Sequence, residues 1–246
     1  MQNEVAEWSK TRDCHGPEEM RACVELQQRV WGFSDLDCVP SRMFTVAKKI
    51  GGQVLGAWDG DHLAGFALAL PGLRDGKNFL HSHMLAVDPA YQRQGIGMRL
   101  KMAQREDGLR RGIGWMEWTF DPLQIGNAYF NLHKLGAVAR RYLPDHYGTL
   151  SSKLQAGLPS DRLVAEWHWA DTQPAVRGAV ARVEIPAEIA VWKQNVADLP
   201  KAVAEQRRIR QELQSAFARG LAAVGFERND AGGGAYLLGD SQEDAK

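Results

Sequence analysis

Cysteine is scarce in this chain of 246 residues, which has only Cys14, Cys23 and Cys38. An odd, sparse set without metal-ligand spacing argues against a disulfide framework and fits reduced thiols in a cytoplasmic protein. Net charge is also missing. Thirty basic side chains balance thirty acidic ones, which argues against a general binder of nucleic acid or anionic membrane, since either needs a basic surplus. No uninterrupted apolar run approaches a membrane span. Glu4 stands where a signal peptide carries base, and no apolar segment follows it. Repeats and long low-complexity tracts are absent. These absences leave an ordinary soluble composition, 44% hydrophobic and 24% charged, with enough chain for one large domain or two small ones.

What is present is a regular succession of element signals. A strand is expected over Val5–Thr11. His15-Gly16-Pro17-Glu18-Glu19 reads as a helix start, with proline early and acids in the first turn. Pro40–Ile50 reads as a second helix, closed by Gly51-Gly52. Gln53–Trp58 and Leu63–Leu70 read as strands joined across Asp59-Gly60-Asp61, a hairpin turn signal. Phe79–Val87 is the next strand, followed by a helix from Gly97 to near Gly112. Trp115–Phe120 reads as a strand, Asn127–Leu135 as a helix stopped by Gly136, and Val138–Leu143 as a strand. Further strands are expected over Leu163–Trp169, Val180–Ile185, Val224–Glu227 and Tyr236–Leu238. A long helix over Pro200–Leu221 is capped by Asp198, and Asp240–Lys246 forms a polar tail. The sum is a mixed α/β protein. Its divisions are residues 1–157 and an α/β extension, 158–246, that packs on the same sheet or caps an acceptor site.

The most informative stretch runs from His81 to Leu100. A strand, a short turn and then Gly95-Ile96-Gly97 at a helix start make an anion site, because first-turn amides lack intrahelical partners and the helix dipole is positive there. Glycine lets a phosphate approach the backbone, and Gln92, Arg93 and Arg99 add donors. A diphosphate suits this arrangement. The Walker lysine is absent, and Leu100 stands where the Rossmann fingerprint needs a third glycine. A lone Gly-x-Gly would be mere turn geometry. Here the run Val87-Asp88-Pro89-x-Tyr91-Gln92-x-x-Gly95-x-Gly97 resembles the core motif of the GNAT superfamily of acyl-CoA-dependent N-acyltransferases, and the order of elements over residues 1–150 fits as well. The resemblance implies a GNAT-like fold and an acetyl-CoA or succinyl-CoA donor. The CoA pyrophosphate would lie on Gln92, Arg93, Gln94, Gly95, Ile96, Gly97 and Met98. The pantetheine arm would pair with Leu85, Ala86 and Val87, and Asn127 would hold the arm as the next helix begins. The acyl carbonyl would lie where the Phe79–Val87 and Trp115–Phe120 strands splay apart.

His81 and His83 point to one face of a regular strand. A protonated amine must lose a proton before attacking a thioester, and a histidine titrating near neutrality suits that task. The pair resembles a branch of the family in which two histidines relay the proton. Ordinary half-buried histidines are the competing reading. A metal site ranks last for want of a third ligand. Glu117 is a rival base. The family's usual acid, a tyrosine four residues before the helix-ending glycine, is replaced by Leu132, which leaves Tyr129 as the candidate acid beside water.

The layout after Leu158 resembles a bacterial GNAT subgroup, some members of which N-succinylate amino acids. A carboxylate-bearing substrate would want arginine, so Arg140, Arg141 and Arg162 are candidates. The expected function is direct transfer of an acyl group to the amine of a small molecule or amino acid. The alternative is a CoA-binding sensor or interaction protein without turnover. Neither nucleic acid nor membrane is expected as a partner, no metal is expected, and a homodimer is left open.

Overall fold

A computed structural model describes residues 10–148, 151–152, 155–169 and 178–240. Residues 5–9 of the expected first strand and 241–246 of the expected tail lie outside them. The chain forms two compact units, residues 1–116 with 151–153, and residues 117–150 with 154–246.

The first unit contains β1 (Lys10–Asp13), α1 (Gly16–Trp31), α2 (Ser41–Lys49), β2 (Gln53–Asp59), β3 (His62–Arg74), β4 (Lys77–Val87) and α3 (Ile96–Arg110). Its strands are antiparallel in the order β1-β2-β3-β4. Residues 53–58 of β2 are buried without a break, because helices cover both faces. On one face Cys23 and Leu26 of α1 and Phe44 and Ala47 of α2 pack with Val54, Phe66, Leu68, Met84 and Ala86. On the other, Ile96 and Leu100 of α3 pack with Leu55, Ala57, Ala64 and Ala67, and Leu85 and Val87 join them. Burying both faces turns the strands into continuous apolar runs, which is how they read in the sequence.

Helix α1 starts as expected. The His15 amide donates to Glu19 at 2.7 Å, and Gly32 ends the helix with φ 64° and a bond to the Gln28 carbonyl. Gln27 is fully buried. Its side-chain amide pairs with both backbone groups of Val39 at 3.0 and 2.9 Å, and so fixes the connection to α2.

The second unit takes β5 (Trp115–Phe120) from Glu117 onward, then α4 (Ile125–Ala128), β6 (Val138–Leu143), β7 (Arg162–His168), β8 (Ala181–Ile185), α5 (Ile189–Trp192), α6 (Leu199–Ala218), β9 (Leu221–Arg228) and β10 (Gly234–Asp240). The strand order is β5-β7-β6-β9-β10-β8. Asp161 is fully buried and fully used: Arg210 donates to it twice, at 2.8 and 2.7 Å, Tyr142 at 2.5 Å and the Asp145 amide at 3.0 Å. That network ties α6 to the β6–β7 connection.

The mixed α/β architecture is the expected one, and four local expectations need correction. Helix α3 begins at Ile96, before Gly97. The Asn127–Leu135 segment is one α turn followed by a π turn over Tyr129–Lys134, closed by a bond from the Leu135 amide to the Phe130 carbonyl at 3.0 Å. Helix α6 stops at Ala218 because Gly220, at φ 83°, turns the chain, and Leu221 opens β9. Asp198 occupies the cap position of α6, but its carboxylate bonds to Asn195 and Lys201 and not to a helix amide.

Candidate active site

The strand-to-helix turn lies wholly within the first unit. Pro89–Tyr91 forms a single 3-10 turn, capped by Asp88, whose carboxylate accepts the Ala90 amide at 3.1 Å. Arg93 (φ 64°) and Gly95 (φ 80°) then both adopt the left-handed conformation. A Cβ at Gly95 would meet nothing within 4 Å, so glycine is needed there for backbone angle and not for room. Arg93 has no such freedom, and an arginine held in that region marks a turn fixed by its surroundings. Intrahelical bonding starts with the Arg99 amide on the Gly95 carbonyl at 3.1 Å. The amides of Ile96, Gly97 and Met98 are therefore the first-turn donors, at the positive end of a 15-residue helix.

The predicted pyrophosphate residues come together here. Gln92, Arg93, Gln94 and Gly95 are exposed, Gly97 and Met98 half-buried, and Ile96 buried. Ile96 can therefore contribute its amide only. Its side chain packs on Gly65, where a Cβ would approach Ile96 Cγ2 and the Ala86 carbonyl, each to 2.9 Å. Any larger residue would push α3 off the sheet. Gln92 and Gln94 donate back to the Val87 and Ala90 carbonyls at 3.4 and 3.3 Å, and Arg99 donates to the Gln94 carbonyl at 3.4 Å.

Three elements pin the base of the turn. Arg29 of α1 donates to Asp88 at 3.2 Å, and His62 of β3 lies 3.6 Å from the same carboxylate oxygen. Tyr91 donates to Asp59 at 2.8 Å and stacks on His62 at 5.3 Å. Asp88 and Gly65 were not among the candidate residues. Each left a signal: an acid before proline at a helical start, and a glycine inside a strand.

β4 carries the histidines, and it is not regular. Its pairing with β3 passes from Leu68↔Met84 directly to Ala69↔Ser82, so the register skips His83. This β-bulge leaves His83 exposed and His81 half-buried, with ring centroids 6.1 Å apart. His83 is held below the ordinary histidine value, first by the low-dielectric surroundings of its ring and then by His81 beside it. Its outer edge nevertheless reaches solvent. A neutral imidazole at pH 7 can accept a proton. Leu85, Ala86 and Val87 pair with Ala67, Phe66 and Gly65 of β3; Ala86 faces α1 and α2, while Leu85 and Val87 face α3.

The remaining candidates belong to the second unit. Asn127 is exposed on α4. Tyr129 opens the π turn, its ring stacked on His133 at 4.4 Å, under the Arg228 guanidinium at 4.3 Å and near Lys134 at 5.6 Å. Leu132 is buried. Glu117, the rival base, is buried and accepts from Arg141 at 2.5 Å. Arg141 also bonds to Glu166 at 3.1 Å, as Arg140 does at 3.0 Å. These carboxylates compensate both arginines. Arg162 bonds to Gln155 at 3.2 Å and lies over the Tyr147 ring.

Residues 20–130 match the model of the acetyltransferase (GNAT) family. A search of curated protein sequences gives no match. Among solved structures, the ribosomal-protein-S18-alanine N-acetyltransferase from Escherichia coli is similar at TM-score 0.53 and 15% identity, over 69% of this chain and 99% of that one. The Salmonella typhimurium protein yncA, with its cofactor acetyl-CoA, is similar at TM-score 0.53 and 16% identity, over 68% and 96%. FeeM, an N-acyl amino acid synthase from uncultured soil microbes, is similar at TM-score 0.50 and 14% identity, over 65% and 90%. At these identities the structures show a shared fold, and the family model matches residues 20–130 of it. Residues 20–130, which carry the turn described above, match the acetyltransferase (GNAT) family model, and these similarities support an acyl-CoA-dependent N-acyltransferase.

Proposed function

We propose that the protein moves an acetyl or succinyl group from acyl-CoA to the amine of a small molecule or amino acid by direct attack. The observation that carries this reading is the α3 turn, where three first-turn amides, a left-handed glycine and exposed donors at Gln92, Arg93 and Gln94 offer a diphosphate its ligands without a bulky side chain in the way. Acyl-CoA supplies the activated acyl group as a thioester. The chain's own residues bind, orient and move protons. The amides of Ile96, Gly97 and Met98 hold the anion, and the backbone of Leu85, Ala86 and Val87 lines the arm that follows. His83, neutral near pH 7, takes the proton that a protonated amine must lose, with His81 as its relay partner. Holding amine and thioester together supplies most of the rate.

Asn127 is assigned to the CoA arm. No acid is essential in this account, because a thiolate leaves readily and water can protonate it; Tyr129 is the hydroxyl to test. The balanced charge of the chain gives no special reason to expect a protein tail or nucleic acid as acceptor, which leaves a small amine or amino acid, and sparse cysteine suits the cytoplasm. Among the described residues, no helix is long and apolar enough to cross a membrane.

The experiment is thiol release from acetyl-CoA and succinyl-CoA across a panel of amines, amino acids and short peptides. Turnover confined to small amines or amino acids supports the reading, and turnover confined to peptides moves the acceptor to protein. CoA binding without any turnover would favour the sensor alternative, which the buried Leu132 at the family's tyrosine position favours on its own.

A further inference from the structure

Among the buried titratable groups to which the chemistry above gives no role, Lys101 lies nearest the histidines in the hydrogen-bond network. Lys101, in the second turn of α3, is 3% exposed, and burial pushes its amine well below the ordinary lysine range. Removing a lysine from water is costly unless its polar head finds partners. Its Nζ donates to Ser82 Oγ at 2.9 Å, and Ser82 donates to Gln104 Oε1 at 3.0 Å. Gln53 of β2 continues the chain, donating to the Gln104 carbonyl at 2.9 Å and to Asp107 at 2.7 Å. A polar thread thus crosses an otherwise apolar interface between sheet and helix. It meets β4 between the two histidines.

That meeting point is where β4 changes face. Leu85 and Val87 pack on the α3 side, Met84 and Ala86 on the α1–α2 side. Strict alternation would send Ser82 with Met84, away from α3. The skip at His83 reverses the parity and brings the Ser82 hydroxyl under α3, within reach of Lys101. The same skip takes His83 out of the ladder beside His81. Moving the bulge by one residue so that strict alternation reached Ser82 would turn the hydroxyl into the apolar α1–α2 side and deprive Lys101 of this acceptor, so the network penalises that slip.

We propose that Lys101 and Ser82 are positioning residues whose hydrogen bond fixes the β4 bulge and thereby places the His81–His83 pair. The inference rests on the histidines being the proton acceptors of the reaction. Slippage of the bulge would rotate both imidazoles without touching the phosphate turn at the other end of the same strand.

The test is the imidazole NMR spectrum of the full chain in wild type, Ser82→Ala, Lys101→Met and Ser82→Thr, with a calorimetric CoA titration of each. The expected result is displacement of the His81 and His83 resonances in Ser82→Ala and in Lys101→Met, with His133 and His146 unmoved. Ser82→Thr, which keeps the hydroxyl, should hold the wild-type positions, and CoA affinity should stay within about twofold throughout. Lys101→Met carries the test if Ser82→Ala fails to fold, since an apolar chain of similar length replaces a buried polar one there. Unmoved His81 and His83 resonances in both variants would overturn the proposal and reduce the network to core filling. The histidine-base reading fails separately, by wild-type turnover in His83→Ala, and the cofactor reading by absence of CoA binding in the wild type.

Discussion

Helix α3 does two things along β4, and they are made of different materials. At its N-terminus the exposed surface is backbone: Gly95 in a left-handed turn, three first-turn amides, and side chains that, apart from the buried Ile96, mostly face water. One turn further on, the contact is side chain: Lys101 and Gln104, buried, hydrogen-bonded to Ser82. The first arrangement suits a ligand that brings its own charge and needs only donors in the right place. The second suits the proposed role of the histidines, because a proton acceptor must be held still to work over hydrogen-bond distances. An exposed backbone cradle and a buried polar clamp follow from those two demands.

The largest effect should come from the clamped end. His83→Ala removes the proposed proton acceptor and should lower turnover by about 100-fold or more, in the range usual for general-base loss, while CoA affinity barely moves. In the wild type, turnover should fall as pH drops through a value below the ordinary histidine 6.5, because His83 titrates low, and His83→Ala should lose that limb. Equal effects on turnover and on CoA affinity would erase the distinction between the two ends.

Asp88→Ala tests the cradle. It removes the acceptor for the Ala90 amide and for Arg29, so the turn should loosen and CoA should bind about tenfold more weakly, roughly 1.4 kcal/mol. The measurement is the calorimetric Kd, with imidazole resonances of His81 and His83 as the control that should not respond. A shift of those resonances would join the two regions into one.

Lys101→Met should have the smallest effect on stability near neutral pH, because an apolar side chain replaces a costly buried amine. The sign with pH is informative. The unfolded lysine keeps its proton up to about its ordinary 10.5, whereas the folded one releases it well below that. Over that window the unfolded state binds more protons, so wild-type stability rises with pH toward 10.5, and Lys101→Met should lack that rise. Denaturant melts of both proteins at about pH 7 and about pH 9.5 give the comparison. Parallel pH slopes would mean that Lys101 keeps its charge in the fold.

Legibility in the sequence follows the same division. The cradle was readable because it depends on local backbone chemistry: Asp88-Pro89, Gly95 and Gly97 announce a turn and a helix start by residue type alone. β5 and β6 were readable because apolar runs end at Asp121-Pro122 and begin after Gly136. The bulge was not readable, since nothing in His81-Ser82-His83-Met84 says that one residue drops out of register; the partner strand β3 decides it. Lys101 was invisible for a related reason. A lysine in a helix reads as solvated, and the hydroxyl brought under α3 by that bulge meets it only in the fold. The ion pairs of Arg140 and Arg141 were not readable because their partners, Glu166 and Glu117, are distant in sequence.

The most direct measurement is a calorimetric titration of acetyl-CoA into the wild type and Gly97→Asp. Aspartate at the second position of α3 suits the helix dipole, so the variant should fold. It also places an anion beside the first-turn amides. The account predicts wild-type binding that Gly97→Asp weakens by at least about 100-fold, close to 3 kcal/mol. Equal affinity for acetyl-CoA in the two proteins would contradict it and return the glycine turn to plain geometry.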